Sequence, residues 1–212
     1  MDKAGTVDDF KVATLEDLAS IYKPPQSNAL RKVTDHITEP GRAFIAASPF
    51  LILATAGAGG LDCSPKGDLP GFVQVADPRT LLIPDRPGNN RIDGMRNLVV
   101  NPQVGIIFMV PGANETYRVN GTATISTDPA LLCRFLVNAK PPRAVLVVTV
   151  QEAYSHCPKA LVRSNLWQAA AVGRPQGTPS HGQFAAYRDG GDDAYARNYD
   201  AEYAKRIPKE LY

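Results

Sequence analysis

The apolar residues change their spacing about a quarter of the way along the chain. Over residues 12–21 an apolar side chain recurs every three positions, which is typical of one face of an α-helix. Thr14 and Asp17 have the spacing of a capping box, and Pro24 ends the segment because proline lacks the backbone donor that a helix needs. A second apolar stripe and a third short helix are expected over residues 30–37 and 39–47.

From residue 50 onwards the pattern is mainly that of β-strands. Strands are predicted over residues 50–55, 61–64, 72–75, 80–84, 104–110, 117–126 and 144–150, and helices over 93–100, 128–137, 158–167 and 193–206. Residues 117–126 alternate apolar and polar side chains, as in a half-buried antiparallel strand. Few strands are followed by a helix, so a mainly β (α+β) fold with a closed or partly closed antiparallel barrel is favoured over a parallel sheet.

The remaining segments are predicted to be turns and linkers. The SPKGD stretch of residues 64–68 is expected to be a hairpin turn, and the glycine- and proline-rich residues 173–183 a surface linker. The expected organisation is a helical segment packed on the barrel over residues 1–48, the barrel over 49–170, and a linker with a C-terminal helix over 171–212.

Composition and charge exclude some classes of partner. The 212 residues carry a net charge of +2, which disfavours nucleic acid because that affinity needs many phosphate contacts. No apolar run approaches the roughly 20 residues of a membrane span. The polar start MDKAGTVDDFKVA is unlike a signal peptide, and three widely spaced cysteines favour a reducing cytoplasm.

Two polar stretches at the ends of predicted strands contain donors suited to an anion. In SPKGD, Ser64 offers a hydroxyl, Lys66 a charge and Gly67 a close approach to the backbone. In GNNR, residues 88–91, Arg91 precedes the predicted helix 93–100, whose first amide groups favour phosphate. Together they predict one phosphate-bearing ligand, although each stretch alone is a weak signal and SPKGD alone is more typical of a solvated turn.

Residues 155–167 form a second polar cluster. His156 and Cys157 are adjacent, but the spacing of four zinc ligands is missing, so no metal site is expected. Lys159 and Arg163 lie one helical turn apart and suit either an anion or a solvated face. No Walker loop, GxGxxG or GxSxG motif occurs, and no catalytic residue is assigned.

The order of these segments resembles the FMN-binding flavoproteins of the pyridoxamine 5′-phosphate oxidase family. The resemblance covers about residues 40–170 and rests on SPKGD, PGFVQV, TLLIPDRPGNNR, NPQVGIIF and ETYRVNGTATI. IPDRPGNNR, with HCPKA at residues 156–160, resembles one FMN-binding branch of that family. The resemblance implies an FMN-binding split β-barrel with short peripheral helices, a homodimer with FMN at the subunit interface, and a small-molecule redox substrate.

Carried over position by position, the resemblance also implies a set of flavin contacts. Ser64 and Lys66 would face the flavin and its ribityl-phosphate tail, and Asn90 and Arg91 would bind the phosphate. The other implied contacts are the backbone of Leu82, Ile83 and Pro84 along the ring edge, Asn97 in support of the phosphate, and Thr116 and Trp167 from the other subunit.

The chain also departs from the oxidase proper. The C-terminal R-x-H motif, with which that enzyme holds pyridoxal phosphate, is missing, so a different substrate is expected. Two alternatives stay open: a non-catalytic flavin- or haem-binding module, with His156 as the candidate axial ligand, and a deazaflavin in place of FMN. The near-neutral charge disfavours the deazaflavin, whose long polyanionic tail suits a basic groove.

Overall fold

The computed structural model describes residues 10–171 and 173–212. Most of the polar N-terminal stretch examined in the sequence, residues 1–9, lies outside the described residues. The chain divides into two compact units between Val33 and Thr34. This boundary precedes the predicted one at residue 48, and the packing of residues 1–48 on the barrel stays a prediction.

The described part of the first unit contains two short helices, α1 (Leu15–Ile21) and α2 (Ser27–Arg31). The Thr14 hydroxyl accepts a hydrogen bond from the Asp17 amide, and the Asp17 carboxylate accepts one from the Thr14 amide. The capping box predicted from the sequence is therefore confirmed. Neither helix contains a buried residue.

The second unit contains one sheet and seven helices among the described residues. Its strands are β1 (Phe50–Gly57), β2 (Gly60–Gly67), β3 (Gln74–Asp77), β4 (Thr80–Asp85), β5 (Gln103–Met109), β6 (Thr116–Ser126) and β7 (Ala144–His156). Its helices are α3 (Glu39–Ala47), α4 (Asp93–Val100), α5 (Pro129–Leu132), α6 (Lys159–Ser164), α7 (Leu166–Ala171), α8 (His181–Asp189) and α9 (Asp193–Arg206). None of the helices described in either unit is both long and apolar enough to cross a membrane.

All seven strands pair antiparallel, in the order β2-β1-β5-β6-β7-β4-β3. β2 lies at one edge and β4 lies next to the other edge, yet Lys66 of β2 forms an ion pair with Asp85 of β4 at 3.1 Å. The sheet must therefore curl to bring these two strands together. The fold class predicted from the sequence, a mainly β antiparallel split barrel with short peripheral helices, is confirmed.

Alternating side chains of the central strands form the core inside the curled sheet. On β5 and β6, the even-numbered apolar residues of one strand face the odd-numbered ones of the next, as the pairing of Ile106 with Val119 illustrates. Helix α3 and the buried parts of β1, β4 and β7 complete this cluster. A smaller cluster of Leu82, Phe135 and Val145 lies on the other side of β4.

Four local predictions need correction. SPKGD is mostly strand and not a turn, because residues 64–67 pair with Phe50–Leu53 of β1. Pro65 is tolerated there because β2 is an edge strand, in which one side of the backbone needs no partner.

The other three corrections concern helices. The helix predicted over 128–137 is only α5 followed by a 3-10 turn, Cys133–Phe135. The helix predicted over 158–167 breaks at Asn165, whose φ of 51° is left-handed. Residues 181–183 of the predicted linker form the first turn of α8.

Candidate functional site

The candidate site begins at the seam, which is the place where the curled sheet brings Lys66 of β2 beside Asp85 of β4. The side chains of Lys66 and Asp85 are each 20% exposed, and their ion pair joins β2 to the end of β4. Lys66 lies opposite Leu51, and Asp85 alternates with Ile83, so both side chains start from the core-facing side of the sheet. The seam therefore places one lysine beside the connection that leads from β4 to α4.

A second ion pair lies directly beside the first. Arg86 Nε donates to Asp68 Oδ2 at 2.7 Å, and another guanidinium nitrogen of Arg86 donates to the Phe135 carbonyl at 2.8 Å. Tyr212 Oη donates to Asp68 Oδ1 at 2.6 Å. Because these bonds engage Arg86, the structure gives it a structural role in closing the seam.

Asp68 keeps its charge within this network. Burial raises the pKa of its carboxyl, but hydrogen bonds from Tyr212, the Leu69 amide and Arg86 lower it more, so the net pKa lies below the ordinary value. The hydrogen bond to Asp68 also raises the pKa of the Tyr212 hydroxyl. At neutral pH the network therefore consists of an ionised aspartate and a neutral tyrosine donor.

The connection from β4 to α4 presents polar groups next to the seam. The side chain of Arg91 is 77% exposed, and only its Nε is engaged, by Asp93 at 2.8 Å. Asn90 has a φ of 60°, and its side-chain oxygen accepts a hydrogen bond of 2.6 Å from Arg143. Most of the Arg91 guanidinium faces solvent and is available to an anion.

Arg143 is a site residue that sequence analysis did not identify. It directly precedes β7, and its backbone amide donates to the Asp85 carbonyl at 3.4 Å. The pairing of β4 with β7 therefore places a second arginine beside Asn90. In the sequence, Arg143 only follows two prolines before a predicted strand, which is an ordinary arrangement. A single sequence does not reveal that this strand pairs with β4 and so brings Arg143 to Asn90.

Leu82, Ile83 and Pro84 lie together in β4, and all three are buried. The pairing of β3 with β4 ends at Leu82, whereas the pairing with β7 continues to Asp85. The edge of β4 beyond Leu82 is therefore not paired with β3. The backbone of Ile83 and Pro84 on this edge lies close in sequence to Asp85, which holds Lys66, as a contact along a flavin ring would require. The contact itself stays a prediction.

Two of the predicted contacts have side chains engaged elsewhere in the described structure. The Ser64 hydroxyl donates to Asp62, whose carboxylate lies against the first turn of α4 at Gly94. The Asn97 amide is buried and donates to Thr55 Oγ1 at 3.2 Å and to the Gly60 carbonyl at 3.3 Å. Both residues anchor α4 on the β1–β2 hairpin, and their contacts with flavin stay predictions.

Thr116 and Trp167 lie apart from the seam in the same chain. Thr116 pairs with Met109, which pairs with Phe50, which pairs with Gly67, so three strand spacings of about 14 Å in total separate it from β2. Trp167 Nε1 donates to the Ala113 carbonyl at 2.6 Å, in the connection before β6. Along the sheet, these two residues therefore lie apart from Lys66.

The cluster around His156 offers no metal site among the described residues. His156 ends β7 and pairs with Thr116, while Lys159 and Arg163 lie on α6. A pocket of about 240 Å³ lies between α6–α7 and the turn before β6, and its lining includes Asn114, Asn165 and Trp167. The lining of this pocket includes none of Lys66, Asn90, Arg91 and Arg143.

Comparison with protein families identifies the barrel. The family model described as pyridoxamine 5′-phosphate oxidase matches residues 37–157, which is more than half of the chain. The chain belongs to the pyridoxamine 5′-phosphate oxidase family. The match contains all seven strands and α4, but it excludes Trp167, α8, α9 and Tyr212.

Solved structures resemble parts of the chain at low sequence identity. HupZ of Group A Streptococcus is 22% identical, covering 56% of this chain and 93% of its own, with a TM-score of 0.46. An FMN-binding protein of Syntrophomonas wolfei is 13% identical, covering 55% and 83%, with a TM-score of 0.44. General stress protein 26 of Bacillus anthracis is 16% identical, covering 53% and 88%, with a TM-score of 0.41. No curated protein matches the chain significantly.

The family implies a flavin, and the donors at the seam fit the phosphate of FMN. Arg91 and Arg143 contribute two guanidinium groups, Asn90 precedes the first and accepts a hydrogen bond from the second, and Lys66 lies at the seam on Asp85. Guanidinium groups suit phosphate because they donate paired hydrogen bonds to its oxygens. A few convergent donors of this kind can hold a dianion in a protein whose net charge is only +2.

Proposed function

We propose that this member of the pyridoxamine 5′-phosphate oxidase family is an FMN-dependent oxidoreductase. The main supporting observation is that Arg91, whose side chain is 77% exposed, directly follows Asn90, whose side chain accepts a hydrogen bond from Arg143. These groups would bind the FMN phosphate, with Lys66 donating from the seam. The family match supports a flavin in this barrel, since it spans every strand that forms the seam.

The β4 backbone and the seam would position the ring system. Bound FMN supplies hydride exchange at its ring nitrogen N5, and the protein orients and polarises it. The unpaired edge of Ile83 and Pro84 offers a straight backbone next to the phosphate donors. No acid or base of this chain is assigned a role. The substrate is expected to differ from pyridoxamine phosphate, because the R-x-H motif is missing.

The second half of each site would come from a second copy of this chain. Along the sheet, Thr116 and Trp167 lie on the far side of β5 from Lys66, and in the proposed homodimer they would complete the site of the other subunit. The outer face of β6 supports such an interface. Arg118 Nε is buried and has no hydrogen-bond partner among the described residues, although the guanidinium lies 5.3 Å from the Tyr154 ring centroid.

This outer face also has complementary charges of its own. Glu152 pairs across the strands with Asn120, two residues from Arg118 on the same face, and accepts a hydrogen bond of 3.0 Å from its amide. In a two-fold interface each surface meets its own copy, so Arg118 can face the carboxylate of Glu152 from the partner. The homodimer would thereby pair the Arg118 guanidinium with a carboxylate of the other subunit.

A reducing cytoplasm is the proposed compartment. The three cysteines are all free and exposed, and none of them forms a disulfide in the described structure.

The oxidoreductase assignment can be tested separately from binding. Purified protein is loaded with FMN, excess flavin is removed, and NADH or NADPH is added without oxygen. Loss of the long-wavelength flavin absorption, faster than for free FMN, is expected. Tight FMN binding without reduction by either NADH or NADPH would support the non-catalytic flavin module instead. A Soret band in the purified protein would point to haem.

A further inference from the structure

Tyr212 lies outside the matched family segment, yet its side chain lies at the seam. The family match ends at residue 157. The Tyr212 hydroxyl donates to Asp68 at 2.6 Å, and the Arg86 guanidinium lies 5.8 Å from the centroid of its ring. The carbonyl of Tyr212 accepts a hydrogen bond from Lys140 at 3.2 Å. One residue of the tail thus contacts three separate connections of the barrel.

The two charged groups that the Tyr212 side chain contacts are poorly exposed. The side chain of Asp68 is 4% exposed and that of Arg86 is 16% exposed. A hydrogen bond to an ionised, poorly hydrated carboxylate is stronger than one between exposed neutral groups. Tyr212 is therefore held by its hydroxyl, by its ring and by its backbone carbonyl.

The segment before Tyr212 explains how the tail reaches this place. Helices α8 and α9 pack closely on each other, since a Cβ on Gly182 would lie 2.1 Å from the Ala196 carbonyl oxygen. A 3-10 turn, Ile207–Lys209, follows α9 directly. Tyr212 comes three residues later, so a helical hairpin delivers it to the seam.

The contact bears on the phosphate donors through the chain itself. Arg86 is the first residue after β4, and the connection that it begins contains Asn90 and Arg91. Its neighbour Asp85 holds Lys66. Arg86 is therefore connected through the chain both to Asn90 and Arg91 and, through Asp85, to Lys66.

We propose that Tyr212 is a positioning residue for the phosphate site. By docking on Asp68 and Arg86, it restrains residues 86–92 in the conformation that places Asn90 and Arg91 beside Arg143. The tail outside the family segment would then control how long a phosphate-bearing ligand stays bound. The assignment of this ligand as FMN rests on the proposed function, whereas the restraint of residues 86–92 does not.

The test compares two variants with a matched control. Tyr212→Phe removes only the hydroxyl and keeps the ring over Arg86, while Tyr212→Ala removes both. Tyr187→Ala is the control, because that tyrosine is 93% exposed on α8. Hydrogen–deuterium exchange of peptides covering residues 86–92 is measured without flavin, and the dissociation rates of FMN and riboflavin are then measured separately.

Tyr212→Ala should speed exchange in residues 86–92 by more than about tenfold, because it loses both the ring contact with Arg86 and a hydrogen bond to a charged group, and that hydrogen bond alone accounts for about tenfold. Tyr212→Phe should give a smaller increase, and the control none. The dissociation rate of FMN should rise most in Tyr212→Ala, less in Tyr212→Phe and not at all in the control. The dissociation rate of riboflavin, which lacks the phosphate, should change little. A general loss of structure would instead affect both flavins alike.

Three results discriminate between the possibilities. Exchange within about twofold of the parent in Tyr212→Ala would overturn the inference, because the tail would then not restrain the connection. Faster exchange with unchanged FMN dissociation would overturn the link to the phosphate site. If the parent protein binds neither flavin, and exchange in residues 86–92 is still faster in Tyr212→Ala, the proposed function is refuted. The positioning of residues 86–92 by Tyr212 is then supported.

Discussion

Replacing Arg91 with alanine separates binding of the phosphate from folding of the barrel. The guanidinium is 77% exposed, and its only described ion pair is with Asp93. An exposed pair of this kind contributes at most about 1 kcal/mol to the free energy of unfolding. In a protein of this size such a loss lowers the melting temperature by no more than about 3 °C. Arg91→Ala should therefore fold normally.

The effect on FMN should be much larger than the effect on stability. A hydrogen bond to a charged group contributes about 1.5–3 kcal/mol, so losing the Arg91 contact should raise the Kd for FMN about 10- to 100-fold. Riboflavin has no phosphate, and its Kd should stay within about twofold of the parent value. Added salt should also narrow the difference between parent and variant for FMN, since it screens an exposed contact.

Quenching of flavin fluorescence on titration with protein measures both constants. The matched control is Arg79→Ala, which removes another exposed arginine that pairs with an aspartate, Asp35, and lies in the β3–β4 turn. It should leave both constants unchanged. An Arg91→Ala variant that binds FMN as tightly as the parent, or that loses FMN and riboflavin equally, would refute the phosphate assignment.

Three further predictions concern the frame around the site. Gly121→Ala should lower the free energy of unfolding by about 2 kcal/mol or more, because the new Cβ would lie 2.0 Å from the Thr149 carbonyl oxygen. Urea denaturation measures this, and an unchanged urea midpoint would contradict the β6–β7 register. Arg118→Glu should weaken the proposed dimer in sedimentation experiments, and adding Glu152→Arg should restore it; a double variant no better than the single one would exclude this pairing. The lowered pKa of Asp68 stabilises the folded protein above about pH 4, and this stability is lost as the pH falls through the pKa that Asp68 has in the folded protein. The difference in free energy of unfolding between the parent and Asp68→Asn should therefore shrink below pH 4. A constant difference from pH 7 to 3 would argue against an ionised, hydrogen-bonded Asp68 in the folded protein.

Two helices with a side-chain cap, α3 and α9, were well predicted at their ends. Their bounds agree with those expected from the sequence. Thr38 caps α3 by accepting from the Gly41 amide, and Asp192 caps α9 by accepting from the Tyr195 amide. Such caps are local in sequence, and a single sequence is enough to find them.

The helix α8 was missed because its glycine serves a distant contact. Ser180 and Gln183 form a capping box, a signal that was present in the sequence. Gly182 in the first turn suggested a linker, since glycine weakens an isolated helix. Its small size is required by the close approach of α9, which is a tertiary constraint that no local pattern displays.

The site was predictable in its parts but not in its assembly. Arg91 and Lys66 stood out as charges near strand ends, whereas Arg143 and Tyr212 come from segments that only strand pairing and the tail bring near them. Ser64 and Asn97 looked like equally good donors, but their side chains bind Asp62, Thr55 and Gly60 in the described structure. Sequence alone could not distinguish a donor facing a ligand from one that anchors a helix.

The visible absorption spectrum of the freshly purified protein tests the central proposal most directly. The account predicts a two-banded flavin spectrum, with a chromophore that is released on heating and identified as FMN by mass spectrometry. A colourless protein is loaded with FMN and measured again, so that loss during purification is not mistaken for lack of binding. A protein that stays colourless after loading, or that shows a Soret band, would contradict the account.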